Sequence, residues 1–170
     1  MSDRPFLIAV DGLAGSGKST LARALAHEMG AAIVEMDDFS SWNGELWAPA
    51  DIARVRREVI DPLLGGQEAR YQRYNWERRE LGEWRAVPAT GTVIIEGVRT
   101  LHIALADAYD LRLWVDAPDE LRLRRGLARD GQATLPVWQH WMAGEEDYLR
   151  VQDPISRADA VIDGRDPVDR

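Results

Sequence analysis

Residues 12–19 are the part of the sequence whose residue types and spacing are best suited to chemistry. They read Gly-Leu-Ala-Gly-Ser-Gly-Lys-Ser and fit the pattern G-x-x-x-x-G-K-[ST] without a mismatch. Glycines let a backbone curl so that its N–H groups point at a polyphosphate, and a helix that follows adds its dipole. In such a loop Lys18 reaches the β- and γ-phosphates, and the Ser19 hydroxyl ligates Mg²⁺. We therefore predict a nucleotide-binding loop made of Gly12, Leu13, Ala14, Gly15, Ser16, Gly17, Lys18, Ser19 and Thr20.

Two carboxylates follow apolar runs that a parallel sheet would bring close to this loop. Asp37 comes directly after residues 32–36, and Glu96 ends residues 92–96. Ligands of open α/β sheets bind at the carboxyl ends of the strands, and phosphoryl transfer to an alcohol uses a carboxylate together with Mg²⁺. Asp37 is therefore a candidate general base and metal ligand, and Glu96 a candidate metal ligand. The alternatives are that Asp37 caps a local turn and that Glu96 pairs with an arginine.

The elements that must position these residues alternate between apolar runs and stretches of helical spacing. This alternation is typical of a parallel sheet covered by helices. It predicts an α/β fold, a P-loop NTPase-type three-layer sandwich in which a mostly parallel five-stranded sheet has helices on both faces. The predicted strands are 6–10, 32–36, 92–96, 111–115 and 160–162, and the predicted helices are 18–29, 50–64, 101–108, 118–129 and 136–150.

Residues 40–90 do not follow this alternation. They hold four of the seven tryptophans together with several prolines and glycines, and they show no clear strand core. We predict a single domain, residues 1–170, that carries this segment as a substrate-binding insertion over the sheet and begins it with one helix. Trp42 and Trp47 of the insertion either stack on a flat substrate or cover the sheet.

The composition excludes several functional classes. The 170 residues include 21 basic and 29 acidic side chains, so the net charge of −8 is opposite in sign to that of a typical nucleic-acid-binding surface. No cysteine is present, and no apolar run is long enough for a membrane span or a signal peptide. Lys18 is the only lysine, which excludes a GTPase that reads guanine with an Asn-Lys-x-Asp motif. We expect a cytoplasmic protein that binds neither nucleic acid nor membrane, and its oligomeric state stays open.

The sequence resembles the uridine kinase-like family of P-loop small-molecule kinases over most of its length. Besides the P-loop, the resemblance rests on residues 37–39, 94–97, 115–118, 122–130 and 158–164. It implies an enzyme that binds ATP (or GTP) and Mg²⁺ and phosphorylates a hydroxyl of a small metabolite, with a nucleoside as the leading acceptor. Two alternatives stay open: a kinase for a sugar, vitamin or antibiotic alcohol, and a non-catalytic nucleotide-binding regulatory module.

The resemblance also implies roles for individual residues. Asp37 matches the family's catalytic carboxylate, and Arg122, Arg125 and Arg129 match the arginines of its lid helix, here in a lid segment of residues 122–135. At this spacing the three arginines share one helical face and can converge on one anion, although a solvated basic face is the alternative. The implied acceptor contacts are Asp38, Phe39, Tyr71, Tyr74, Trp76 and Arg99.

Two features of the sequence differ from the uridine kinases that it resembles. Asn75 stands where that family has an aspartate, and the histidine that the family uses nearby is missing. The residue pattern therefore supports a kinase more strongly than it supports uridine as the acceptor.

Asp38 also has a second interpretation, as a turn cap or a water-mediated metal contact.

Overall fold

A parallel sheet and its covering helices make up most of the part of the chain that the structure describes, residues 3–41 and 48–165. The computed structural model has seven strands in that part, namely β1 (Phe6–Gly12), β2 (Ala32–Glu35), β3 (Ala69–Asn75), β4 (Glu80–Val87), β5 (Thr92–Glu96), β6 (Leu111–Asp116) and β7 (Ala160–Asp163). Its α-helices are α1 (Lys18–Met29), α2 (Pro49–Val55), α3 (Asp61–Leu64), α4 (Asp119–Asp130) and α5 (Leu135–Gln152). A π-helical segment, Arg56–Ile60, joins α2 to α3.

Five of the strands form one sheet in the order β2-β5-β1-β6-β7, and every neighbouring pair is parallel. The five predicted strands are therefore confirmed, and the sheet is wholly rather than mostly parallel. β1 lies at its centre, so the loop that follows β1 is flanked by the carboxyl ends of β5 and β6. This order brings the ends of β2 and β5 to the same side of that loop.

The core lies on both faces of the sheet because successive strand residues point in opposite directions. Leu7 and Ala9 of β1 pack in a cluster with the residues of α2, the π-helical segment and α3, and with Tyr148 of α5. Ile8 and Val10 pack in a second cluster that includes Ala22 of α1. Helices thus cover both faces, as the sequence predicts.

The prediction that residues 40–90 lack a strand is wrong. β3 and β4 pair as an antiparallel hairpin, apart from the main sheet. A register shift between Gln72 and Tyr74 moves the buried positions of β3 from Ala69 and Tyr71 to Tyr74, and β4 is exposed except at the half-buried Gly82 and at its last residue. Neither strand therefore shows the regular alternation that identifies a half-buried strand.

The predicted helix over residues 101–108 is also wrong. The backbone makes isolated turns there, such as Leu105 N–H to His102 O at 2.8 Å, and ends in one short 3₁₀ turn, Ala106–Ala108. Leu101 and Leu105 are nevertheless fully buried. The helical spacing of the apolar residues thus identified burial correctly, but the segment forms no regular α-helix.

Two sequence-based expectations concern other parts of the chain. The first is that Trp42 and Trp47 either stack on a flat substrate or cover the sheet, and both residues lie outside the described part of the chain. Within residues 3–41 and 48–165, no helix has both the length and the apolar character that a membrane span requires.

Candidate active site

The P-loop joins β1 to α1, which begins at Lys18. Gly15 and Gly17 have φ angles of 78° and 98°, in the left-handed region that favours glycine. A Cβ atom on Gly15 would lie 2.6 Å from the backbone oxygen of Arg122, so no larger residue fits there without a shift. The first turn of α1 has N–H groups without intrahelical partners, which suits the binding of an anion.

A cleft of about 830 Å³ opens beside this loop. Lys18 and Ser19 of α1 line it together with Asp37, which follows β2, and Glu96, which ends β5. Helix α5 supplies a further part of the wall, including Trp141. The strand order explains the convergence, because β2, β5 and β1 are adjacent and their carboxyl ends meet at one edge of the sheet.

Ser19 and Glu96 are in direct contact in this cleft. The Ser19 hydroxyl donates a hydrogen bond to Glu96 Oε2 at 3.1 Å. Burial raises the pKa of the Glu96 carboxyl, and the Lys18 ammonium opposes that shift. No three His, Cys, Asp or Glu side chains are grouped for metal binding in the described part of the chain. A Mg²⁺ ion at Ser19 and Glu96 would take further oxygen ligands from phosphates and water, as Mg²⁺ commonly does, and Asp37 stays the third predicted ligand.

Asp37 lies in the same cleft, near the Lys18 ammonium. Asp37 is exposed to solvent in the cleft, but the protein packed around its carboxyl desolvates that group enough to raise its pKa, and the neighbouring Asp38 acts in the same direction. Lys18 and Arg129 oppose the shift because a nearby cation favours the carboxylate. A carboxylate with a raised pKa is a stronger proton acceptor than an ordinary aspartate, provided that it stays ionised.

Asp38, Phe39 and Tyr71 do not line the cleft, so the structure does not bring them together with Trp76 and Arg99. Asp38 is buried and accepts hydrogen bonds from Tyr71 Oη at 3.0 Å and from Arg73 Nε at 3.1 Å. Phe39 is fully buried, and its ring centre lies 4.6 Å from that of Tyr71. These contacts fasten the hairpin to the end of β2.

The residues around the hairpin turn divide between packing and the cleft. Tyr74 is buried, and its ring meets that of Trp76 edge to face with centroids 5.1 Å apart, so Tyr74 supports Trp76 and does not line the cleft. Asn75 Oδ1 accepts the N–H groups of Glu77 and Arg78 at 3.0 and 2.9 Å and thereby caps the turn. Trp76 lines the cleft, as does Arg99 after β5.

Arg122 does not reach into the cleft. It is only 2% exposed, and its guanidinium donates to the backbone oxygen of Ala14, to Glu145 Oε2 and to Asp119 Oδ1, each at 2.9 Å. Glu145 Oε1 in turn accepts the Ala14 N–H at 2.6 Å. The Ala14 peptide is therefore held on both sides, and Arg122 supports the P-loop from helix α4.

The other two arginines of α4 also point to different places, so the structure does not bring the three together at one point. Arg125 donates to the backbone oxygens of Gly15 and Ser16 at 3.2 and 3.4 Å. Arg129 lines the cleft and pairs with Asp130 at 2.7 Å. Arg129 alone of the three is placed to meet a ligand in the cleft.

Sequence patterns did not identify a fully buried aspartate at the base of the P-loop. Asp11 accepts hydrogen bonds from the N–H groups of Gly12, Arg99 and Leu101 and from Tyr148 Oη, at 2.6 to 3.2 Å. Burial raises the pKa of this carboxyl to about 6 despite these donors. The one available signal was an acidic residue in an otherwise apolar strand, next to Gly12.

Comparison with known proteins finds one matching family model and similarity to uridine kinases. The AAA domain family matches residues 8–135 of the chain. A uridine kinase of Alkaliphilus metalliredigens (strain QYMF) is 30% identical over 184 residues, which cover 94% of this chain and 87% of that protein. A uridine kinase of Ligilactobacillus salivarius (strain UCC118) is 26% identical over 145 residues, which cover 75% of this chain and 68% of that protein.

Solved structures share the fold. A possible uridine kinase from Bacillus stearothermophilus has a TM-score of 0.70 at 21% identity, with 96% of this chain and 91% of that chain covered. A sugar kinase from Janibacter sp. HTCC2649 has a TM-score of 0.53 at 21% identity, with 96% and 87% covered. The P-loop between β1 and α1, the parallel sheet and the match to relatives over nearly the whole chain together show that this chain belongs to the uridine kinase-like family of P-loop small-molecule kinases.

Proposed function

We propose that the protein transfers the γ-phosphoryl group of ATP to a hydroxyl of a small metabolite in a Mg²⁺-dependent reaction. The observation that carries this proposal is the convergence of Lys18, Ser19, Asp37 and Glu96 in one cleft beside the P-loop. These residues supply a cation for the phosphates, oxygen ligands for a metal ion and a carboxylate for the acceptor proton. Phosphoryl transfer to an alcohol requires all three.

The P-loop and α1 hold the nucleotide in this mechanism. Backbone N–H groups and the Lys18 ammonium bind the β- and γ-phosphates, and the charge of Lys18 is most effective where negative charge develops during transfer. The Ser19 hydroxyl and Glu96 carboxylate, 3.1 Å apart, are the hard oxygen donors that Mg²⁺ prefers, and Glu96 binds the ion directly or through water. When bound, Mg²⁺ screens the charge of the phosphate oxygens.

Asp37 acts as the general base. The acceptor oxygen forms a bond to the γ-phosphorus while the bond from that phosphorus to the β,γ-bridging oxygen breaks, and Asp37 takes the hydroxyl proton. ADP and the phosphorylated acceptor are the products. Arg129, which lines the cleft from the segment of residues 122–135, neutralises charge on the transferring group. The chain works as one domain in which residues 40–90 form the acceptor side of the cleft and residues 122–135 its lid.

A nucleoside is the first acceptor to test, because relatives that span most of this chain are named uridine kinases. A sugar, vitamin or antibiotic alcohol is a second candidate, and the hairpin supports it. Tyr71, Tyr74 and Asn75, which occupy the stretch that resembles the nucleoside contacts of uridine kinases, are used for packing and turn capping. Among the described residues of the hairpin, Trp76 lines the cleft.

The test is a screen of nucleosides, sugars and vitamins for ADP release that depends on the added acceptor, with ATP or GTP as the donor. We expect at least one acceptor to raise ADP release well above the background without acceptor, and mass spectrometry to detect the phosphorylated product. Nucleotide binding without transfer to any acceptor would instead support the non-catalytic regulatory module. The same screen without Mg²⁺ should show no transfer.

A further inference from the structure

Arg99 differs from the other arginines around the cleft because it has no ionic partner within residues 3–41 and 48–165. It lines the cleft, is half-buried, and has a buried Nε atom without a hydrogen-bond partner. Its guanidinium carbon lies 5.0 Å from the centre of the Tyr148 ring. The backbone N–H of Arg99 donates a hydrogen bond to Asp11 Oδ1 at 3.2 Å. The φ angle of Arg99 is 75°, which is unusual for a residue with a side chain.

The carboxylates that act on Arg99 are already engaged elsewhere. Asp11 accepts four donors, and Glu145 is bound to the P-loop and to the α4 arginine described above. Asp147 pairs with Arg150 at 2.8 Å. These three groups attract the guanidinium through space, but none lies within ion-pair distance of it in the described part of the chain.

An unpaired, partly desolvated guanidinium is costly to keep in a folded protein. Burial lowers the pKa of Arg99, yet an arginine side chain stays charged in proteins. The aromatic face of Tyr148 and the fixed backbone hold the group in place, which reduces the entropy that a ligand must overcome on binding. A planar guanidinium with free donors is suited to two parallel hydrogen bonds to a carboxylate or phosphate.

The position of Arg99 indicates which substrate would meet it. Arg99 follows β5, on the side of the P-loop that also contains β2 and Asp37, whereas α4 follows β6 on the other side. Asp37 is the proposed base for the acceptor hydroxyl, and Trp76 of the hairpin lines the same cleft. A group that reaches Arg99 therefore belongs to the acceptor rather than to the nucleotide.

We propose that Arg99 binds an anionic group of the acceptor, so that the acceptor is a hydroxylated metabolite that also carries a carboxylate or a phosphate. This proposal rests on the proposed kinase function and narrows its substrate class. A neutral nucleoside offers no group that would neutralise Arg99. The charge of Arg99 therefore favours a sugar, vitamin or antibiotic alcohol that carries an anionic group over a neutral nucleoside.

The experiment measures binding and phosphoryl transfer with matched pairs of probes. The pairs are glycerate with its neutral amide and ribose 5-phosphate with ribose, and uridine serves as a neutral nucleoside. Calorimetric titration of the protein loaded with ADP and Mg²⁺ keeps the P-loop occupied, and ATP-dependent transfer is measured with the same probes. The variants are Arg99→Gln and Arg99→Lys, and Arg23→Gln removes one charge from the exposed surface of α1 as a control.

We expect the anionic member of at least one pair to bind more tightly than its neutral partner. Arg99→Gln should weaken that binding about ten- to a hundredfold, as expected for the loss of a charged hydrogen-bonded contact, while Arg99→Lys retains part of it and Arg23→Gln all of it. The carboxylate and phosphate pairs show which of the two anions is recognised. Nucleotide affinity should be the same in all four proteins.

Two results would overturn the proposal. One is an absence of preference for the anion in both pairs, and the other is equal binding of every probe by wild type and Arg99→Gln. If uridine is phosphorylated equally well by wild type and Arg99→Gln, the kinase function stands and the anionic acceptor is wrong. If anions bind through Arg99 but no acceptor is phosphorylated, the binding site stands and the kinase function is wrong.

Discussion

The buried ion pair between Glu145 and Arg122 predicts that the P-loop depends on helix α5 for its stability. Glu145→Gln keeps the size of the side chain and one oxygen, but its amide cannot accept hydrogen bonds from both the Ala14 N–H and the Arg122 guanidinium. Glu145 is only 7% exposed and Arg122 only 2% exposed, so the cation would remain buried. Removal of one partner of a buried pair costs about 3–5 kcal/mol.

The remaining partner of Arg122 sets the expected loss within that range. Asp119 stays 2.9 Å from the guanidinium, but its side chain is 73% exposed and compensates only in part. We therefore expect Glu145→Gln to lower the free energy of unfolding by about 3 kcal/mol. At this chain length, that loss corresponds to a fall of about 6–12 °C in Tm.

Urea unfolding followed by tryptophan fluorescence, together with thermal unfolding, measures this loss. Glu146→Gln is the matched control, because the neighbouring residue on α5 is exposed and should change the unfolding free energy by less than about 0.5 kcal/mol. Nucleotide affinity should also fall in Glu145→Gln, because the Ala14 peptide is no longer fixed on both sides. Equal unfolding curves for the two variants would refute the proposed support of the P-loop.

Three further predictions concern single residues of the cleft and its base. Lys18→Ala should leave the thermal unfolding curve unchanged and lower turnover by orders of magnitude, and near-normal kinetics would contradict its role at the phosphates. Arg129→Gln should raise the pKa of Asp37, because a cation that favours the carboxylate is lost, so the acid limb of the profile of kcat against pH should move to higher pH. Wild-type Asp11 is stabilising in its protonated form below about pH 4 and loses this contribution as the pH rises through about 6. Relative to Asp11→Asn, wild type should therefore lose about 2 kcal/mol of unfolding free energy between pH 4 and pH 7, and a constant difference would show that the pKa of Asp11 is not raised.

The sequence predicts the sheet well because its inner strands β1 and β5 are buried on both faces. Runs such as residues 6–10 are continuously apolar, and the P-loop motif locates the first strand and the first helix on either side of it. The hairpin escapes prediction because β4 is nearly all exposed and the register shift in β3 interrupts the alternation. Short strands of this kind are stabilised by contacts from distant residues, here the bonds from Tyr71 and Arg73 to Asp38.

The candidate site is predicted only where a local motif exists. Lys18 and Ser19 follow from the P-loop, and Asp37 and Glu96 from their positions after strands. The interactions that hold the P-loop, by contrast, join residues more than 100 positions apart, such as Ala14 with Glu145 and Asp11 with Tyr148. No spacing in a single sequence indicates such pairs. The same holds for the arginines of α4, which share one helical face in the sequence. That spacing does not reveal that Arg122 is already bound to Glu145 and Arg125 to a backbone carbonyl of the P-loop.

Turnover of Asp37→Asn tests the proposed chemistry most directly. The substitution is nearly isosteric and removes the proton acceptor, so turnover at saturating acceptor should fall by about 10²–10⁴-fold, or further if Asp37 also orders Mg²⁺. Nucleotide affinity without metal should stay close to that of wild type, because the P-loop backbone and Lys18 bind the phosphates. Glu28→Gln removes an exposed carboxylate of α1 outside the cleft and is the control for the change in charge. A fall in turnover of less than about tenfold in Asp37→Asn would contradict its role as the base and make Glu96 the next residue to test.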